Sequence, residues 1–310
     1  MREADSARFR VMQKTYRRVS GLLDSDVDVS IEPLRLGFSL CFRHDMDRID
    51  AQGLEAFVDG DHDLPPSTLF FLEDQWRRFP DAIRKLSDKA HYEIAVHSEA
   101  KPTPWCWSLH QLSRWIERSY GRRLKAQVRR FESRTGVTSK GHAAHAVNNY
   151  LPFQGWINWN IIENCSLRVG LDYVSDWRLP SRVAEGEPFP PPWPAYRRRR
   201  GDRSIVVLPT SWDDKFFFYS YEDHFMRATA TPDVPYRPDV LDAAFRSVLQ
   251  QAEICRRFET PLILNIHPWH SVSNGQPQFL ELKRRLTNWA QDADVPVLTC
   301  ASLCGRATSQ

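Results

Sequence analysis

The chain has 310 residues, 42% of them hydrophobic and 26% charged, which suits one large domain or two ordinary ones with a sizeable core. Its 42 lysines and arginines against 39 aspartates and glutamates leave a net charge of +3, so the balance demands neither nucleic acid nor an acidic membrane as partner. No apolar run reaches the ~18 residues of a membrane-spanning helix, and the charged N-terminal stretch lacks the apolar segment of a secretory signal, so a cytoplasmic location is expected.

Residues 1–35 are polar and read as an N-terminal extension. Residues 36–45, LGFSLCFRHD, read as a buried strand whose apolar run stops abruptly at Arg43. TLFFLED (68–74) repeats that design, and 76–88 reads as a helix. HYEIAVHSE (91–99) is a third strand, followed by a long amphipathic helix over about 108–134 that is closed by Thr135-Gly136. A strand-like stretch at 137–146, a helix through WINWNIIENC and a strand LDYVSDW (171–177) come next.

The proline-rich segment 179–195 reads as a loop insertion, and the basic run Arg197–Arg200 behind it as a solvated loop. SIVVLPTSW (204–212), PLILNIHPW (261–269) and VPVLTCASL (295–303) complete the strands, alternating with helices at 241–258 and 279–293. Strands alternating with helices imply a mostly parallel α/β sheet. Seven or so units in this length fit a barrel over 36–304, with 305–310 as a tail.

The chemistry of such barrels sits at the carboxyl ends of the strands, and that rule selects residues here. The strand ends carry His44, Asp45 and Asp47; Glu73 and Asp74; His97; His142 and His145; Asp176; Trp212, Asp213 and Asp214; and His267 and His270. A carboxylate with imidazoles suits Zn²⁺ or a similar divalent ion. A further carboxylate and histidine could then serve as base and acid around a bound water. The six cysteines are scattered without a CxxC pair, which reads as reduced, partly buried thiols. The 11 tryptophans suit a large core, with Trp212 a candidate wall for a sugar-like ligand.

The segments FRHDMD (42–47), YEIAVHSEA (92–100), LPTSWDD (208–214) and LILNIHPW (262–269) together resemble the ordered motifs of the polysaccharide deacetylase superfamily. This is the NodB-homology or carbohydrate esterase family 4 group, and the likeness is strongest to its divergent Arg-His-Asp-x-Asp branch. The resemblance implies a distorted (β/α)7 barrel and hydrolysis of an N-acetyl or related amide by a metal-bound water. It implies Asp45 as general base, Asp47 and His97 as metal ligands, His267 as the acid that protonates the leaving amine, and Asp213 as the carboxylate that tunes His267.

The sequence departs from the family at Lys101, which stands where a second ligand histidine is expected. A protonated lysine cannot ligate a metal. Asp45, His44, His110 and His142 are the candidate replacements. The family's arginine motif survives only loosely as SKGHAAHA (139–146), where Lys140 could substitute; His145 and His270 are further candidate substrate contacts.

The expected activity is a metal-assisted deacetylase, with Zn²⁺ as cofactor (Co²⁺ or Ni²⁺ as alternatives) and a small N-acylated sugar or glycoconjugate precursor as partner. The rivals are a degenerate barrel that binds a carbohydrate-like ligand without catalysis, and a hydrolase of a non-sugar amide. Oligomeric state is not read from the sequence.

Overall fold

The computed structural model describes residues 14, 29–47, 49–59, 65–98, 110–144, 152–176, 193–214, 238–267 and 278–309. Lys101, His145, His270, most of the proline-rich segment and most of the N-terminal extension lie outside them.

Among the described residues, strands and helices alternate along the first two thirds of the chain. They are β1 (Val29–Pro33), β2 (Leu40–Asp45), α1 (Ala51–Asp59), β3 (Ser67–Phe71), α2 (Glu73–Arg78), α3 (Pro80–Ser87), β4 (Tyr92–Ser98), α4 (His110–Thr135), β5 (Gly141–Ala144), α5 (Pro152–Val169), β6 (Tyr173–Asp176), β7 (Tyr196–Arg200) and β8 (Arg203–Pro209). Then come β9 (Trp212–Asp213), α6 (Pro238–Arg257), β10 (Leu262–Ile266), α7 (Gln278–Asp292) and α8 (Cys300–Thr308). Parallel pairing runs β10-β2-β3-β4-β5-β6-β8, and β9 pairs with the other side of β10.

Only Thr210 and Ser211 separate β8 from β9. One continuous segment therefore leaves β6 and joins β10, which curls the sheet into the expected distorted (β/α)7 barrel. Switching partners strands backbone groups at the joint, and buried groups must be paired. Ser211 N donates to Ile263 O at 2.8 Å, Ile263 N donates to Ser211 Oγ at 3.2 Å, and Gln251 Nε2 donates to Ser211 O at 3.0 Å. Gln251 is thus a polar residue at a buried position of α6, whose other buried residues (Leu241, Ala244, Val248, Ala252, Cys255) follow helical spacing.

Alternation along each strand divides the core in two. Even-numbered β2 residues such as Leu40 and Phe42 pack outward against the helices, while Cys41 joins Phe70, Ala95, Ala143, Tyr173, Leu208 and Ile263 inside the barrel. Burying each such aliphatic or aromatic side chain contributes ~1.5–3 kcal/mol. Gly141 is required inside: a Cβ there would lie 1.9 Å from the Tyr173 ring. Gly136 ends α4 at φ +74°, a left-handed conformation that glycine adopts without strain.

Four expectations are corrected. The helix read over 76–88 is two helices, because Pro80 cannot donate to a continuing α2 and instead opens α3 at its first turn. The strand read over 295–303 is a single bridge, Leu40 to Val297. The chain then turns into α8, capped by Thr299, whose side chain accepts from Ser302 N. α8 extends to Thr308, into the stretch read as a tail, and its Cys300, Leu303, Cys304 and Ala307 close the floor of the barrel. The basic run is strand β7, antiparallel to β1 and β8. Arg198 is fully buried there because Glu163, Asn160 and Asn164 of α5 accept its hydrogen bonds at 3.1, 2.7 and 2.8 Å.

Candidate active site at the barrel mouth

The same alternation that builds the interior sends Arg43 and Asp45 inward and His44 outward. Arg43 is buried below the mouth. Its Nη1 donates to Ser175 O at 3.0 Å, Ser175 Oγ at 3.1 Å and Thr210 Oγ1 at 3.2 Å, and its Nη2 is bonded to Asp45 Oδ1. Phe70 lies under the guanidinium, 5.0 Å from its ring centre.

Asp45 is the hub. Its Oδ2 accepts from Asn265 Nδ2 at 3.1 Å and lies 4.0 Å from both His97 Nε2 and His267 Nε2. Burial alone would raise its pKa, but Arg43, with His97 and His267, holds the carboxyl well below the usual range. The same Asn265 amide donates to Asp213 Oδ2 at 2.9 Å, so one side chain from β10 spaces two carboxylates.

His97, at the end of β4, donates from Nδ1 to Ala143 O at 3.1 Å. A carbonyl can only accept, so in the neutral ring Nε2 carries the lone pair and faces Asp47 Oδ1 at 3.3 Å. Burial lowers its pKa, and Asp45 and Asp47 more than reverse that, so the net shift is upward.

His267 is clamped by Asp214. Nδ1 donates to Oδ1 at 2.7 Å, and the backbone N donates to Oδ2 at 2.7 Å. Against the effect of burial, Asp214, Asp213 and Asp45 push the imidazole up to about 10.

Asp45, Asp47, His97, Asp213 and His267 are brought together at the mouth, and the carboxylate hydrogen-bonded to His267 is Asp214, not Asp213. Asp214 holds His267, and Asp213 acts on it only through space and through Asn265. The reason is that Asp213 ends β9 pointing inward, while the turn at Asp214 brings the next side chain back beneath His267 N.

Other candidates are excluded by their faces. His44 Nδ1 donates to Ile266 O (3.0 Å), and the ring packs edge-on against Phe57 of α1. His142 sits between Ser166 Oγ (3.0 Å) and Ser98 Oγ (2.7 Å), under the helices. Trp212 is fully buried against α6, its indole donating to Ser247 Oγ at 3.0 Å, and is no cleft wall. Glu73 pairs with Arg77 and Arg130 on the outside. Lys140 is exposed and does not replace the family arginine; Arg43 supplies a buried cation to Asp45 instead. His110 begins α4, and only its backbone is described. The residues missed by sequence reading are Arg43, Asn265 and the role of Asp214. The i, i+2 spacing of Arg43 and Asp45 was the available signal for the first.

The donor set fits a divalent cation. Asp45, Asp47, Asp213 and Asp214 face one fixed cation, Arg43, so with His267 protonated and His97 neutral the mouth carries an excess of two negative charges. The 3.3 Å between Asp47 Oδ1 and His97 Nε2 matches two ligands of one tetrahedral ion at ~2.0–2.1 Å bonds, and the Ala143 carbonyl fixes His97 in the tautomer a metal needs. Asp213, Asp214 and His267 also cluster within 4.8 Å, but His267 Nδ1 is committed to Asp214, so this cluster is a hydrogen-bonded dyad.

The barrel gathers acids and imidazoles at the carboxyl ends of its parallel strands, where such barrels carry their chemistry. Its fold is that of the polysaccharide deacetylases. A protein from Mycobacterium smegmatis classed as a polysaccharide deacetylase is similar at a TM-score of 0.60 and 17% identity, over 90% of this chain and 94% of that one. The allantoinase Puue is similar at 0.52 and 12% identity, over 87% and 90%. A carbohydrate esterase family 4 pseudoenzyme from Bacillus anthracis follows at 0.40 and 11%, over 88% and 66%. The sequence matches no family model and no curated protein.

Proposed function

We propose that the protein is a metal-assisted hydrolase that removes an acyl group, acetyl foremost, from the amide nitrogen of an N-acylated sugar or glycoconjugate precursor inside the cell. The observation that carries this reading is the placement of Asp45 Oδ2 at 4.0 Å from both His97 Nε2 and His267 Nε2. A base, a ligand histidine and an acid thereby surround one small space.

Asp47 and His97 would hold the ion, with Asp45 beside them. When bound, the ion acidifies water and polarises the acyl carbonyl. Asp45, kept ionised by Arg43, takes the proton from the attacking water. His267, kept protonated by Asp214, gives a proton to the departing amine. Without an acidified water, a carboxylate of such low pKa would be a feeble base.

Elemental analysis of the purified protein tests this, together with acetate release from N-acetylated sugars. Stoichiometric zinc, cobalt or nickel that is lost in Asp47→Ala and His97→Ala supports the reading. A metal-free wild type that stays metal-free after soaking overturns it. A non-catalytic carbohydrate-binding barrel is the rival reading, supported by Lys101 at the position where the second ligand histidine is expected. Because fold does not determine substrate, cyclic and other non-sugar amides belong in the same assay.

A further inference from the structure

On the far side of the helical layer, α4 and α5 leave a cavity of about 550 Å³ lined by Glu117, Arg118, Gly121, Arg122, Lys125, Arg168 and Val169. Its base forms where the helices approach closely: a Cβ on Gly121 would lie 3.3 Å from Cys165 Sγ. Glu117, the acidic residue of the lining, has Arg168 Nη2 at 2.8 Å and Arg200 Nη1 at 3.6 Å, both on its Oε1. Arg118, Arg122 and Lys125 are exposed and, among the described residues, make no hydrogen bond or ion pair.

Elsewhere on the helices some exposed cations find carboxylates, and others, such as Lys85 and Arg246, make no ion pair among the described residues. Arg77, Arg130, Arg284 and Arg285 each meet a glutamate, and Arg285 an aspartate as well. On α4 the spacing instead sets Arg118 four residues from Arg122, Arg122 three from Lys125, and Lys125 four from Arg129. Like charges at these spacings destabilise a helix, so folding gains nothing from this row. A ligand that supplies the missing negative charge would remove the repulsion.

We propose that this cavity binds a phosphorylated organic molecule of nucleotide size, a site separate from the barrel mouth. Guanidinium forks match phosphate oxygens in pairs, and three unpartnered cations suit a diphosphate better than a single carboxylate. Gly121, Val169 and the aliphatic stems of the arginines offer an apolar wall for the organic part. The volume is that of a small-molecule site.

The test is isothermal titration of the full chain with uridine diphosphate, with adenosine diphosphate and with inorganic pyrophosphate at low and at physiological salt. Parallel arms use phosphatidylglycerol vesicles and a short single-stranded oligonucleotide. Micromolar binding of a nucleoside diphosphate that exceeds pyrophosphate binding, and that weakens about tenfold or more in each of Arg118→Glu and Arg122→Glu, supports the site. Both positions are exposed, so the variants should melt no lower than the wild type. Arg123→Glu, outside the lining, should bind within about twofold of wild type. Absence of heat with all soluble probes, equal loss in all three variants, or binding confined to vesicles or oligonucleotide overturns the proposal.

Discussion

Four histidines stand on the barrel strands, and the two faces of the sheet treat them in opposite ways. His97 and His267 point into the mouth among carboxylates, and their pKa values rise. His44 and His142 point outward beneath the helices, where burial dominates. His142 is pushed down to about 3, and His44 falls well below its ordinary value. Residue type is therefore a poor guide to chemistry on a barrel strand. One position of register separates a group poised to carry a proton from one kept neutral in the shell.

Removing the hub of the inner face should have the largest effect. Asp45→Asn is expected to lower deacylation by ~10²–10⁴-fold, measured as acetate release from whichever N-acetyl substrate is turned over. It also leaves Arg43 buried without its anion, at a cost of ~3–5 kcal/mol in stability, so thermal melting should be recorded beside it. Full activity in Asp45→Asn would end the comparison, because the inner face would then have no special role.

Asp214→Asn is the next step down. His267 keeps a hydrogen-bond acceptor but loses the anion that raises its pKa. Turnover should fall by ~10²-fold, and the alkaline limb of the pH–rate profile should move to lower pH. A fall in rate with an unmoved profile would assign Asp214 to positioning alone.

Stability against pH sharpens the contrast, since the two faces carry opposite signs. The outer histidines have folded pKa values below the unfolded one, so their contribution is present above pH ~6.5 and is lost as pH falls; for His142 the loss continues towards about 3. Each tenfold change in proton affinity is worth ~1.4 kcal/mol, so the contribution of His142 is on the order of a few kcal/mol. Denaturant melts of His142→Gln should show a flatter acid limb, with activity at neutral pH unchanged. The inner histidines act the other way: in metal-free protein the His267 contribution is complete below pH ~6.5 and is lost as pH rises through about 10. A wild-type stability that is level from pH 4 to 7 would contradict the outer half of this account.

The smallest effect is expected at Trp212. Its burial against α6 and its bond to Ser247 predict that Trp212→Phe costs ~1–3 kcal/mol in stability. The Michaelis constant should stay within about twofold. A tenfold rise in that constant would return Trp212 to the ligand cleft.

Much of this arrangement was legible in the chain. Apolar runs that end in Asp45, His97, Asp213 and His267 mark strands whose carboxyl ends meet, because a parallel barrel puts all those ends on one rim. Helical spacing in 241–258 marked α6, and Gly136 its counterpart at the end of α4. What could not be read was sidedness at irregular points. Strand alternation predicts which residues share a face only while the strand stays regular. At Thr210 and Ser211 the chain changes neighbours, and that joint decides that Trp212 goes out, Asp213 goes in and Asp214 turns back to clamp His267.

The sequence by itself determined the central inventory: the parallel strands that carry the site, the titratable groups at their ends, and that they share a rim. The tertiary structure alone decided the partnerships. Arg43 became the cation beneath Asp45, Asn265 the spacer between two carboxylates, a supposed final strand the helix that plugs the barrel, and a supposed basic loop a strand that buries Arg198. Each of these depends on which segments lie side by side across the curled sheet. Such neighbours are up to 259 residues apart in the chain, as for Cys41 and Cys300, and local patterning carries no record of them.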